Sequence, residues 1–185
     1  RENAWLDRTQ SGDCEGTCAV SSGVVTEIPR FMGEIVEEFI RLARRSPHVN
    51  QQSGVSVRAS ITCAECMVSN AERRGISLGE PRVMPRVSDL PNMAASCRGK
   101  IELMLAEDEQ PEDKLITALM GEAVKEIASN YFDMDALEPV IENFAGGKTQ
   151  IEIGDDVRAD ALVQSASSVK GLVKLAGGVC RTAGL

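Results

Sequence analysis

Residues 29–46 read PRFMGEIVEEFIRLARRS, a pattern typical of an amphipathic helix. Its apolar residues recur every three or four positions, so they form one stripe along a helix rather than the alternating face of a strand. A proline at position 29 suits the first helical turn, where its missing N–H is not needed. The residues predicted to face the core are Met32, Ile35, Val36, Phe39, Ile40 and Ala43.

A second helix is predicted to follow a polar loop. It should begin at Val57, with Ser56 as its N-cap, and end at Gly75. Arg73 and Arg74 would then lie in its last turn and complement the negative end of the helix dipole. Its length makes it, with the first helix, the main element of the N-terminal half.

The rest of the chain continues the helical pattern with two interruptions. Further helices are predicted over 89–96 (capped by Ser88 or Asp89), 112–132, 135–145 and from about 157 onward. Short strands are predicted over 100–105 (KIELML) and 149–154 (TQIEIG). The predicted fold class is therefore mainly α with one or two short β-strands, arranged as an irregular loop or hairpin (1–28), a helical subdomain (29–98) and an acidic helical extension (99–185).

Charge is divided unevenly along the chain. Residues 30–86 hold nine arginines, six acids and no lysine, whereas residues 89–160 hold seventeen acids against six bases. The arginines point either to phosphate or carboxylate recognition or to a bias in codon usage. A net charge of −8 and an aromatic content of 3% disfavour nucleic-acid binding.

The compartment and the extent of the chain are also predicted from composition. No apolar run approaches the ~20 residues that cross a membrane. The start at Arg1 has no apolar signal-peptide core. We therefore expect a cytoplasmic protein and a chain that is part of a longer one.

The cysteines offer a candidate metal site. Cys14 and Cys18 flank a turn, and Cys63 and Cys66 follow as CAEC, so that the four thiolates could hold one zinc ion. However, Cys63 and Cys66 fall in a helical pattern rather than in a zinc knuckle. Ordinary buried or free thiols are therefore the alternative.

Two enzyme-like features have simpler explanations. GGKT (146–149) matches the end of a phosphate-binding loop, but such a loop follows a strand and opens a helix. Here a helix precedes and a strand is predicted to follow, so Gly146 and Gly147 are expected to end a helix. The single histidine, His48, lies in a predicted loop and is expected to be solvated.

Arg58 is placed unusually, in the first turn of the second helix. A cation there faces the positive end of the helix dipole, which is mildly unfavourable. The same position suits an anion, because unpaired N–H groups point outward. Arg58 is therefore either a residue that reaches a phosphate or a solvated arginine on the helix surface.

The segment HVNQQSGVSVRASI (48–61) resembles the lid region of AAA+ ATPases of the magnesium-chelatase-like and MoxR-like branch. The shared pattern is Gly-x-Ser-x-Arg followed by a small residue and serine, supplied here by Gly54, Ser56, Arg58, Ala59 and Ser60. The flanking EIPRFMGEIVEEFIRLAR, VSNAERR and PRVSDLPNMAASCRGKIEL resemble a subgroup often labelled magnesium chelatase subunit or sigma-54-interacting ATPase. The resemblance covers about residues 24–175.

The resemblance implies a function for the whole chain. It would be the C-terminal, lid-containing region of a AAA+ ATPase, with Arg58 as the sensor arginine that reaches the nucleotide γ-phosphate and with Gly54 and Ser56 beside it. ATP and Mg²⁺ would be held mainly by residues outside this chain, since it carries no Walker A or Walker B motif. The chain alone is therefore not expected to hydrolyse ATP.

The implied partners are neighbouring ATPase subunits in a ring, and a client protein or partner subunit on the acidic extension. A different class of protein is the alternative. It is an independent helical, protein-binding adaptor, stapled by zinc through Cys14, Cys18, Cys63 and Cys66.

Overall fold

The computed structural model describes residues 23–50, 55–98, 100–101, 112–145, 147 and 149–183. Within these ranges the chain is mainly helical with a small sheet of two strands, which confirms the predicted fold class. In chain order the elements are β1 (Val25–Thr26), α1 (Arg30–Arg45), α2 (Val57–Leu78), β2 (Arg82–Val83), a 3₁₀ helix (Val87–Met93), α3 (Ala94–Cys97), α4 (Glu112–Tyr131), α5 (Met134–Ala145), α6 (Ala159–Ser167) and α7 (Leu172–Ala183).

Helix α1 confirms the apolar stripe. All six predicted core residues of this helix are buried, and Phe39 and Ile40 have no exposed surface. Pro29 occupies the N-cap position in extended conformation, one residue before the first helical turn. Helix α1 packs against α2, so the stripe forms one side of the core of the N-terminal unit.

The predicted end of α2 at Gly75 is wrong. The helix continues to Leu78 and ends at Gly79, whose φ of 67° is the left-handed conformation that favours glycine. Gly75 stays helical and allows a close approach instead. A Cβ at this position would lie 2.6 Å from Cγ1 of Val83 and 3.1 Å from Cγ1 of Val24. The glycine is therefore required by packing against the strands.

Strands β1 and β2 form a parallel pair in which Val25 lies opposite Arg82 and Thr26 lies opposite Val83. The pairing includes a bond from the Val25 N–H to the Pro81 carbonyl at 2.8 Å. A parallel pair needs a long connection, and α1 and α2 supply it. These strands were not predicted, because two residues are too few to show a periodic pattern.

The sequence predicted two strands at other positions, over residues 100–105 and 149–154. The prediction for TQIEIG is wrong, because residues 149–153 form no strand and Ile153 is exposed. Of KIELML, only Lys100 and Ile101 are within the described residues. Ile101 is buried and forms an isolated antiparallel bridge with Val55.

The helix predicted over 89–96 is two elements. A 3₁₀ helix that contains Pro91 precedes the single turn of α3. Neither Ser88 nor Asp89 is the N-cap, which is Arg86. Asp89 lies inside the first turn, where its Oδ2 accepts a bond from the Arg86 backbone N–H at 2.6 Å. The Asp89 carboxylate therefore satisfies the backbone N–H of the N-cap residue, Arg86, although Asp89 itself lies three residues after the cap.

The described residues divide into two compact units between Lys125 and Glu126. In the C-terminal unit, α5 and α7 pack together, as do α6 and α7, with Val140 and Val169 buried. The helices predicted over 112–132, over 135–145 and beyond 157 are confirmed, and α5 contains Pro139. The domain boundaries predicted at residues 28 and 98 stay predictions.

None of the helices in the described ranges combines the length and hydrophobicity that a bilayer-spanning segment needs.

Candidate functional site

The start of α2 is fixed by the chain that leads into it. Ser56 is the N-cap, as predicted, and its Oγ accepts a bond from the backbone N–H of Arg58 at 3.2 Å. The preceding Val55 is buried and bridged to Ile101. The Ser60 hydroxyl donates to the Val57 carbonyl at 2.8 Å within the first turn. The cap, the hydroxyl bond and the bridge at Val55 therefore define the position of the first turn of α2.

Arg58 lies on the outer side of this turn. It is exposed, whereas the next two residues, Ala59 and Ser60, are buried. Within the part of the chain that the structure describes, no carboxylate pairs with the Arg58 guanidinium. Ser56 and Arg58 are thus brought together at one helix end, while Gly54 falls outside the described residues. An exposed cation on a fixed helix end can reach an anion without rearrangement of the fold.

The other end of α2 is anchored by a buried polar network that sequence reasoning missed. The Arg74 guanidinium donates to Asp89 Oδ1 at 2.5 Å and to the Met84 carbonyl at 2.7 Å. The Asn70 side-chain amide donates to the same Asp89 oxygen at 2.6 Å. Arg74 therefore joins α2 to the 3₁₀ helix and does not serve as a solvated cation near the helix dipole.

A signal for this network was present in the sequence. Arg74 follows Met67 and Ala71 at helical spacing, so it continues the buried stripe of α2. A charged residue on a buried stripe needs a partner of opposite charge. Asp89 lies 15 positions further along the chain, so the pattern of α2 alone does not identify it as the partner.

The cysteines of α2 occupy different environments. Cys63 has no exposed surface, and its Sγ lies 3.6 Å from the Sγ of Cys97 in α3. The Ser96 hydroxyl donates to the Cys63 sulfur at 3.5 Å. Cys66 is partly exposed. The predicted zinc site joined Cys63 and Cys66 to Cys14 and Cys18, which fall outside the described residues. Among those described, no group of three or more metal-ligating side chains converges.

The two buried thiols influence each other's ionisation. The hydrogen bond from Cys97 lowers the pKa of Cys63 from 9.0 to about 7, with smaller help from Ser96 and Lys100 and against the effect of burial. The same hydrogen bond and burial raise the pKa of Cys97. The pair therefore loses its first proton near neutral pH and holds its second proton strongly.

The GGKT segment behaves as a helix end. Helix α5 ends at Ala145, and Gly147 has a φ of 64°. The Gly147 N–H donates to the Phe144 carbonyl at 3.0 Å. Gly146 and Lys148 lie outside the described residues. The interpretation of this segment as a helix terminus is supported, although no strand follows it.

His48 lies in the turn after α1 and is exposed, as predicted. Its backbone N–H donates to Ser46 Oγ at 3.3 Å.

The C-terminal unit has a groove of about 570 Å³ between α5 and α7. Its lining is largely apolar, with Asp133 and Lys174 as charged residues. Side chains that line it include Tyr131, Phe132, Pro139, Val140, Leu175 and Val179. Ile141 and Val173 are also exposed on these two helices. The unit therefore presents apolar surface together with its negative charge.

Comparison of the chain with models of protein families, with curated proteins and with solved structures found no match in any of the three.

Proposed function

We propose that this chain is the C-terminal, lid-containing region of a AAA+ ATPase of the magnesium-chelatase-like and MoxR-like branch. Arg58 is its sensor arginine, which contacts the γ-phosphate of ATP and couples hydrolysis to movement of the lid. The observation that supports this most directly is the placement of Arg58. The Arg58 side chain is exposed and pairs with no carboxylate among the described residues. Arg58 is the second residue of α2, which Ser56 caps, and the residues that follow it, Ala59 and Ser60, are buried.

The rest of α2 supports a mechanical role for the helix. In this proposal the sensor arginine transmits a signal because its helix moves together with the elements packed around it. The Asn70–Asp89–Arg74 network and the packing of α2 against α1 and the 3₁₀ helix supply this coupling. Displacement of the first turn of α2 by nucleotide would therefore be carried to the 3₁₀ helix and α3.

The proposal assigns nucleotide binding mainly to residues outside this chain. Its sequence has no Walker A or Walker B motif to hold the phosphates and Mg²⁺ of ATP. Gly54 and Ser56 would lie near the phosphate together with Arg58. The isolated chain would be inactive as an ATPase, and the cytoplasm would be its compartment.

The partners in this proposal are neighbouring subunits of a ring and a client protein or partner subunit. The C-terminal unit carries nine acidic against five basic residues from Glu126 onward. Such a charge favours encounter with a basic surface, and the apolar groove supplies area that a partner can bury.

The test is an arginine substitution in an ATPase that contains this region. Arg58→Ala is expected to lower ATP turnover at least ~10-fold, because a cation aimed at the transferred phosphate stabilises the transition state. The midpoint of thermal unfolding should not change. Arg30→Ala is the matched control, since Arg30 is also an exposed arginine but pairs with Glu34. Unchanged turnover in Arg58→Ala, or an equal loss in both variants, would refute the sensor role.

The groove of the C-terminal unit favours one second candidate, the independent protein-binding adaptor. That function needs only an exposed apolar surface. Its zinc staple through Cys14, Cys18, Cys63 and Cys66 predicts near-stoichiometric zinc in the purified chain and loss of folding on chelation. A sequence upstream of Arg1 that encodes a phosphate loop and an acidic Walker B strand would favour the ATPase over the adaptor.

A further inference from the structure

Cys63 and Cys97 form a dithiol pair inside the N-terminal unit. Their sulfur atoms are 3.6 Å apart, which is contact distance, and neither residue has exposed surface. A disulfide requires sulfurs about 2 Å apart, so each would move by less than about 1 Å. The two sulfurs are thus close enough for a bond to form between them after a small shift.

The structure holds both cysteines in place. Cys63 lies in the second turn of α2, and Cys97 is the last residue of α3. The Cys97 carbonyl accepts bonds from the N–H groups of Lys100 and Ile101, both at 3.0 Å. The Asp89 network joins α2 to the 3₁₀ helix that runs directly into α3. The two sulfurs therefore stay opposed as long as the unit is folded.

We propose that Cys63 and Cys97 are an oxidation site that closes into a reversible disulfide when the chain reacts with a hydroperoxide. The Cys63 thiolate attacks one peroxide oxygen, the O–O bond breaks, and hydroxide leaves to take up a proton as water. The product is the sulfenic acid of Cys63. The Cys97 sulfur then attacks the Cys63 sulfur, the S–O bond breaks and a second water leaves. In total two thiols are oxidised to one disulfide, and one hydrogen peroxide is reduced to two waters.

The division of roles follows from the environments of the two thiols. The Ser96 hydroxyl donates a hydrogen bond to the Cys63 sulfur at 3.5 Å, and hydrogen bonds of this kind favour the thiolate. The Cys97 sulfur lies 3.6 Å from the Cys63 sulfur and is therefore placed to attack it once the sulfenic acid has formed. Attack by Cys63 and resolution by Cys97 is therefore the order that we assign.

Burial restricts the oxidant. Because neither cysteine has surface that a water-sized molecule can touch, any oxidant reaches the sulfurs only when the packing opens locally. Hydrogen peroxide, which is close to water in size, needs a much smaller opening than an aromatic disulfide reagent does. Cys66, one turn along α2, is partly exposed and should therefore react readily with the aromatic disulfide reagent as well. The matched control for the pair is thus a cysteine on the same helix.

The disulfide would change the fold locally. It would tie α2 covalently to α3 and enclose β2 and the 3₁₀ helix in one loop, which removes freedom from the unfolded chain. Oxidation should therefore stabilise the N-terminal unit against unfolding without altering its secondary structure. This inference is independent of the role proposed for Arg58.

The experiment treats the folded 185-residue chain with hydrogen peroxide, blocks free thiols, and identifies tryptic peptides by mass spectrometry. Wild type and Cys66→Ala should both yield peptide 59–73 joined to peptide 87–98, with two hydrogens fewer than the separate peptides. Dithiothreitol should release them. Cys63→Ala and Cys97→Ala should not form the link, and circular dichroism would establish that both variants are folded.

Two results would overturn the proposal. One is a folded wild-type chain in which the thiols of Cys63 and Cys97 stay free while Cys66 is oxidised. The other is a link that forms at least as fast in denaturant as in the folded chain, since proximity in the fold would then have no part in it. In Cys66→Ala the linked peptide contains only one cysteine on each side, so its identity is unambiguous.

Discussion

Arg74 and Asp89 form an ion pair that is almost completely removed from solvent, with 2.5 Å between Nη1 and Oδ1 and side-chain exposures of 1% and 0%. Asp89 also accepts bonds from Asn70 and from the backbone of Arg86. Two donors of α2, Asn70 and Arg74, therefore connect that helix to the Asp89 carboxylate, while the bond from Arg86 lies within the start of the 3₁₀ helix. Removal of this carboxylate would leave a buried guanidinium without its counter-charge.

The first prediction concerns this carboxylate. Asp89→Ala should lower the free energy of unfolding by about 3–5 kcal/mol, because an uncompensated buried charge is strongly destabilising. The measurement is urea denaturation followed by circular dichroism. Arg82→Ala is the control, since it removes an exposed ion pair with Glu27 and should change stability by less than about 1 kcal/mol. Similar losses in the two variants would contradict the central position given to Asp89.

The second prediction compares two helical glycines. Gly75→Ala should destabilise the chain by about 1–3 kcal/mol, because the new methyl group overlaps Val83 and approaches Val24 and the Glu80 carbonyl. Gly121→Ala, in α4, should stabilise it by up to about 1 kcal/mol, because nothing lies near the added carbon and alanine favours helix. Thermal or urea unfolding of both variants checks the difference in sign. Stabilisation by Gly75→Ala would show that the approach of α2 to β2 is looser than described.

The third prediction concerns the cap of the helix that carries Arg58. Ser56→Ala should cost about 0.5–2 kcal/mol, since the backbone N–H of Arg58 loses its acceptor. Ser56→Asp should keep most of the stability, because a carboxylate caps equally well. Urea denaturation compares the two variants. An equal loss in both would mean that the serine hydroxyl has a role other than capping.

The fourth prediction is a pH profile. The rate at which hydrogen peroxide oxidises Cys63 should rise with pH and reach half its plateau near the pKa of about 7, because the thiolate is the reacting form. Below that pH the rate should fall about tenfold per unit. The profile is measured on peptide 59–73 in the Cys66→Ala background.

A second variant checks the cause of that profile. In Cys97→Ala the midpoint should move upward, since the hydrogen bond that lowers the pKa of Cys63 is lost while the effect of burial remains. A midpoint that is the same with and without Cys97 would contradict the assigned hydrogen bond.

Local sequence patterns predicted the helices well. The stripe from Met32 to Ala43 predicted α1 because its period matches the helix along the whole element. Ser56 predicted the start of α2 because capping depends only on neighbouring residues. For the same reason Arg58 could be placed at a helix end from sequence, although nothing local identifies what it binds.

Features that depend on distant partners were missed. A glycine such as Gly75 is the residue type that commonly ends a helix. Its role here is set by contact with Val83, on a strand that the sequence pattern did not predict. Ile151 and Ile153 alternate like a strand, but alternation forms a strand only where another strand pairs with it. Likewise, Cys97 and Asp89 gain their importance from Cys63 and Arg74, which are many residues away in sequence.

The parallel pairing of β1 and β2 has a consequence for how the N-terminal unit folds. Val25 pairs with Arg82, which follows it by 57 positions (82 − 25), so the pairing closes a long loop that contains both α1 and α2. Contacts of such long sequence separation form late and slow the search for the native topology. During synthesis, β1 leaves the ribosome well before its partner exists. The sheet and the Asp89 network can therefore form only after α1 and α2 have both been synthesised.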